Sequence, residues 1–149
     1  AHSLVKLINP FDGDAVLIAP ATHPEFIDLM RDMLLDRGQR GLLLRASEGE
    51  PFANPRCRPR LEYLHDGMTE ALFEAEHESL RIVPDLPAAT DAVTTALWIR
   101  RVLDRQVPLP KPLANQLACC LVASGYAEDL YQAKAVVAVE TNGRSSAAA

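Results

Sequence analysis

Arg56, Arg58 and Arg60 stand at alternate positions, separated by Cys57 and Pro59. In an extended segment such residues share one side. The three guanidiniums then form a row that suits the phosphates of a nucleic-acid backbone, each neutralised phosphate releasing counterions. The alternative is a solvated row that pairs with the acidic stretch following it. Just upstream, Ser47-Glu48-Gly49-Glu50 supplies two carboxylates after an apolar run that reads as a buried parallel strand. That position is the carboxyl edge of the sheet, where open α/β folds bind their ligands. Magnesium carrying a phosphorylated ligand takes one or two such oxygens plus water. A solvated loop is again the alternative.

Other reactive residue types do not assemble into a site. Cys119 and Cys120 lie inside an apolar helical stretch and no cysteine or histidine pair at metal-ligand spacing accompanies them, so they read as core residues. His2, His23, His65 and His77 are scattered, and local sequence builds no Ser/His/Asp or Cys/His arrangement. There is no Gly-rich phosphate loop; Gly38 and Gly41 read as a helix stop and a strand entry.

The elements that must position these residues follow from patterning. Ala15 to Ala19 is a continuous apolar run bounded by Asp12-Gly13-Asp14, as in a strand covered on both faces. Thr22 and Glu25 have capping-box spacing, Phe26, Met30, Met33 and Leu34 recur at helical spacing, and Gly38 ends the helix. Leu42-Leu43-Leu44 is the second strand, completing a βαβ unit with parallel strands. The loop Ala46 to Pro59 is long enough to be functional. Leu61 to His65 and Met68 to Phe73 flank Asp66-Gly67, a tight-hairpin dipeptide. A helix is predicted from Thr90 with Val93, Leu97, Ile99, Val102 and Leu103 on or near one face, then a stiff connection through Pro108, Pro110 and Pro112. Two more helices are predicted, from about Leu113 to Ser124 and from about Glu128 to Glu140, the last with Leu130, Ala133, Val136 and Val137 inside. The fold class is therefore α/β: part of a mainly parallel sheet with flanking helices, a β-hairpin insertion and C-terminal helices. Residues 1–141 form that domain, and 142–149 read as a small, polar, disordered tail or a remnant of the expressed sequence.

Composition narrows the function classes. The 149 residues are 48% hydrophobic and carry a formal charge of −5, which argues against a uniformly basic nucleic-acid binder or a membrane-surface protein but leaves room for a basic patch. Such a patch exists in sequence: residues 31–60 hold seven arginines against four acids, whereas 62–91 hold eight acids against Arg81 alone. Arg100, Arg101, Arg105 and Lys111 then face only Asp104 within 92–115. No apolar run has transmembrane length and no secretory signal opens the chain. With three cysteines, two of them adjacent, the expectation is a reducing, cytoplasmic setting. The start at Ala1-His2-Ser3, without Met, reads as a piece of a longer protein.

Taken together, Leu4-Val5-Lys6-Leu7-Ile8-Asn9-Pro10, the strand and helix from Val16 to Gly38, and Leu44-Arg45-Ala46-Ser47-Glu48-Gly49-Glu50 resemble the later part of the anthranilate phosphoribosyltransferase family. Leu117-Ala118-Cys119-Cys120-Leu121-Val122-Ala123-Ser124-Gly125-Tyr126-Ala127 is similar to that family's late helix. Glu48-Gly49-Glu50 followed by Ala53-Asn54-Pro55-Arg56, with the Pro-rich stretch before Leu113, is more like a divergent glycosyltransferase-like paralogue branch of dimeric nucleic-acid-binding proteins that lack the biosynthetic activity. The resemblance runs from about Leu4 to Val139. It implies a nucleoside phosphorylase/phosphoribosyltransferase-type α/β domain whose helical domain and pyrophosphate loop lie upstream of Ala1, so that phosphoribosyl pyrophosphate and a homodimer belong to the full-length parent. It also implies that the family's acidic metal pair corresponds approximately to Glu48 and Glu50, although Gly49 departs from that adjacent pair. Two readings result: a binder of DNA or RNA backbone through Arg56, Arg58 and Arg60, and, as the alternative, a magnesium-dependent anthranilate-type phosphoribosyltransferase of tryptophan biosynthesis.

Overall fold

The apolar runs on either side of the first helix form the parallel pair that organises the sheet. In the computed structural model, which describes residues 5–46 and 50–141, β1 (Leu17–Ala21), α1 (Pro24–Asp36) and β2 (Gly41–Arg45) make a βαβ unit. β1 and β2 are parallel from Leu17 opposite Gly41 to Ala21 opposite Arg45. β1 begins two residues later than its apolar run does. β2 is buried from Gly41 to Leu44 because both of its faces are covered. Leu43 packs with Met30 and Leu34 of α1, whereas Leu42 and Leu44 point to the opposite face and pack with Cys119 and Ala123.

The ends of α1 show what local sequence can and cannot dictate. Gly38 sits at φ +60°, with its N–H on the Leu35 carbonyl and the Gln39 N–H on Leu34, a Schellman stop as the sequence predicts. The capping box does not form. The N-cap is His23, without a side-chain bond, so Thr22 sits one position too early to cap, and Pro24, which has no N–H to satisfy, takes the first helical position.

β3 (Leu61–His65) and β4 (Met68–Phe73) form the expected hairpin, with Asp66 and Gly67 at φ 49° and 72°. The sheet order is β1-β2-β3-β4. Among the described residues one pairing is parallel and two, β2 with β3 and β3 with β4, are antiparallel. The fold class is α/β as predicted, with the β1–β2 pair parallel and the hairpin antiparallel, while the β2–β3 pairing makes the sheet mixed where a mainly parallel one is predicted. A parallel third strand needs a crossover to the far end of the sheet. Instead β3 returns antiparallel from the carboxyl end of β2, with Leu61 opposite Leu44, and Asn54 and Cys57 to Arg60 lie beside Thr22 and Arg45. The free edge of β1 is blunted: Leu17 and Ala21 bond toward β2, so Pro20 faces outward, offering no N–H and a carbonyl that accepts from Lys6 Nζ at 3.1 Å.

The remaining elements are α2 (Ala92–Leu103), α3 (Lys111–Ala123) and α4 (Leu130–Thr141). α3 and α4 pack through Ala118, Ala127, Ala133 and Val137. Leu130 and Val136 are half-buried. α2 departs from expectation, since none of its residues is buried and Val93, Leu97, Ile99 and Leu103 are 46–76% exposed. No described helix is long and apolar enough to cross a membrane.

Candidate anion-binding cleft

A cleft of about 510 Å³ opens at the carboxyl ends of the parallel strands, lined by Thr22 after β1, Arg45 at the end of β2 and Ala46 after it, and Asn54, Cys57, Arg58 and Arg60 of the long loop. Arg45 and Arg60 also border a second cavity of about 280 Å³ beside Pro24, Ile27 and Arg31 of α1. The antiparallel return of the chain makes this site: it brings the arginine segment back over the strand ends where the loop began.

The loop has a buried anchor. Gln116 of α3 accepts from the Ala53 N–H at 2.7 Å through Oε1, and its Nε2 donates to the Pro51 carbonyl at 2.8 Å. Ala53 is fully buried and Gln116 nearly so. Sequence reasoning missed Gln116; its only signal is a polar residue amid the apolar positions of α3.

The arginine row divides. Arg58 and Arg60 line the cleft with Arg45, which the sequence did not single out, while Arg56 lies outside the lining. The predicted three-residue alternation fails because Asn54 to Cys57 is a turn and not an extended strand. The Cys57 N–H bonds to the Asn54 carbonyl, and the Arg56 N–H to the Asn54 side-chain oxygen. Arg56 Nη1 instead donates to the Arg81 carbonyl.

Each cleft arginine is held by a particular partner. Arg45 Nε donates to the Thr22 carbonyl at 3.2 Å. Arg58 is 3.4 Å from Glu76 Oε1, donates its backbone N–H to Glu76 Oε2 at 2.9 Å and its Nε to the Glu74 carbonyl. Its guanidinium also lies 5.0 Å from the centre of the Phe73 ring, which Lys134 approaches at 4.7 Å. Arg60 bonds Glu62 Oε1 at 2.8 Å and stands 3.7 Å from Glu74. The buried Glu62 is shared, its other oxygen receiving Arg31 at 3.0 Å. Burial works against the Arg31 charge, but the bonds to Asp28 and Glu62 outweigh it and its pKa is raised.

Glu48, with Ser47 and Gly49, lies outside the described residues, and Glu50 is exposed. Among the described residues no group of three or more His, Cys, Asp or Glu side chains stands ready to hold a metal. Glu76, the cleft's described carboxylate, is engaged by Arg58. Burial pushes the Cys119 thiol up to about 12 and raises that of Cys120. Both read as packing residues, as the sequence predicts.

No family model matches the chain. It is 39% identical over 128 residues to the uncharacterized protein YbiB of Escherichia coli (strain K12), a match covering 85% of this chain and 39% of that protein. The chain thus spans about two-fifths of the length of this curated relative.

Proposed function

We propose that this chain is part of a phosphoribosyltransferase-family, glycosyltransferase-like protein that binds the phosphate backbone of DNA or RNA without reading its sequence. The observation that carries the reading is the convergence of Arg45, Arg58 and Arg60 on one cleft at the carboxyl edge of a βαβ unit. Three guanidiniums from two separate segments meet there on a protein of net charge −5, with Arg58 and Arg60 paired to Glu76, Glu62 and Glu74 and Arg45 paired to no carboxylate among the described residues. Contacts to phosphate carry affinity and salt dependence, whereas base edges carry sequence. The site is accordingly proposed as Arg45, Arg58 and Arg60, with Arg56 removed from it. Unpaired Cys57, Cys119 and Cys120 fit a reducing, cytoplasmic setting. A homodimeric parent rests on the resemblance alone. The test is fluorescence anisotropy with duplexes of unrelated sequence: equal affinities are expected, and a strong preference for one duplex, or no binding at low salt, contradicts the reading.

The second reading, magnesium-dependent phosphoribosyl transfer in the full-length parent, is favoured by one feature: the loop that carries Glu48 and Glu50 leaves β2 through Ala46, which lines the cleft. Magnesium would there offset the charge of a pyrophosphate group. Replacing Glu48 and Glu50 with Gln in the parent keeps shape and removes charge. Calorimetry should then show weaker magnesium-dependent binding of phosphoribosyl pyrophosphate, and equal affinity would return both residues to a solvated loop.

A further inference from the structure

The segment that follows β4 runs back along the arginine segment as a strap. The Glu76 N–H bonds to the Arg58 carbonyl at 2.9 Å and the Leu80 N–H to the Arg56 carbonyl at 2.8 Å. Cys57 Sγ reaches the Glu76 carbonyl at 3.4 Å. Acids occur at alternate positions along the strap, Glu74, Glu76 and Glu78, as arginines do along its partner. The Glu76 carboxylate takes both the backbone N–H and the guanidinium of Arg58. Those are the donors a phosphate oxygen would use.

From this geometry we infer that the strap, residues 74–81, is an internal competitor for the phosphate-binding cleft: Glu76 holds Arg58, and Glu74 adds at 3.7 Å to the Glu62 bond of Arg60, until a polyanion displaces the strap. The inference rests on the phosphate-binding reading and assigns that site its regulation. The strap is built to be displaced. From Glu74 to Ile82 every residue except the half-buried Glu76 is exposed, with Leu80 at 52% and Ile82 at 81%. No apolar anchor fixes it between Phe73 and the buried Val83. A segment without an apolar anchor opens at low cost, and the exposed Arg60–Glu74 pair weakens further with salt, leaving the half-buried Arg58–Glu76 pair as its main hold. Arg45, bonded only to a backbone carbonyl among its described partners, offers the first contact.

The test compares the chain with its Glu74→Gln/Glu76→Gln variant, which keeps the side-chain shapes and removes the competing charges. The control is Asp66→Asn/Glu70→Gln, which removes the same charge from the hairpin, where those two acids face His65 and none of the cleft arginines. Binding of a 25-base-pair duplex is read by anisotropy across a salt series. At about 0.1 M salt each phosphate contact contributes roughly eightfold in affinity. The strap variant should therefore bind about tenfold or more tightly, and the control within twofold of the unaltered chain. In the unaltered chain, duplex should also speed hydrogen exchange at the Glu76 and Leu80 amides. Equal affinity of strap variant and unaltered chain, or an equal gain in the control, overturns the strap while leaving phosphate binding in place. No binding by any of the three proteins overturns both.

Discussion

Gln116 is where a single side chain decides whether the arginine loop has a fixed root. A buried N–H left without an acceptor costs about 1–3 kcal/mol, and Gln116→Leu would orphan the Ala53 N–H and the Pro51 carbonyl together. The variant should lose about 2 kcal/mol or more by chemical denaturation, and an unchanged midpoint would show that the loop finds other partners. Nothing in the sequence announces this residue, because its importance comes from contacts with Pro51 and Ala53, more than sixty positions away. The same holds for Glu62, which reads as an ordinary strand acid and proves to be a buried carboxylate between Arg31 and Arg60. Arg56 lies outside the cleft lining for a more local reason: the Asn54 turn interrupts the alternation on which a shared face depends. Gly38 was legible because its role depends only on its own backbone and the preceding turn of helix.

At the scale of elements, the strands, the hairpin and the helices were legible from apolar runs, the Asp66-Gly67 turn and helical spacing. The direction of the β2 to β3 return was not, since it depends on how a loop of irregular sequence crosses space. α2 shows the limit from another side. Its periodicity correctly gave a helix with an apolar face, but periodicity is silent on what covers such a face, and here Val93, Leu97, Ile99 and Leu103 are exposed. The start of α2 depends on Asp91, whose side chain accepts from the Thr94 N–H at 2.9 Å. That bond holds the Asp91 carboxyl below its ordinary value. A carboxyl lowered by folding stabilises above its unfolded pKa, and the contribution is lost as pH falls through the folded pKa. The Thr94 amide resonance should therefore titrate with a midpoint below about 3.9, the ordinary aspartate value. Asp91→Asn should abolish the transition while retaining a cap. A midpoint at or above the ordinary value would contradict the bond.

For the whole molecule, the uneven charge visible along the sequence becomes a structural arrangement: the basic loop and the acidic segment after β4 lie against each other at one end of the sheet. Net charge alone would have hidden both. In the proposed function Arg45, Arg58 and Arg60 form one phosphate-binding surface to which Arg56 does not belong, and the dependence of duplex affinity on salt tests this. Each phosphate contact adds about 0.9 to the slope of log affinity against log salt on duplex DNA. The triple variant Arg45→Ala/Arg58→Ala/Arg60→Ala should therefore lose about 2.7 of slope, with affinity falling alike for every sequence, while Arg56→Ala keeps the slope of the unaltered chain. An unchanged slope in the triple variant, or a loss of slope in Arg56→Ala, would contradict the proposed phosphate surface.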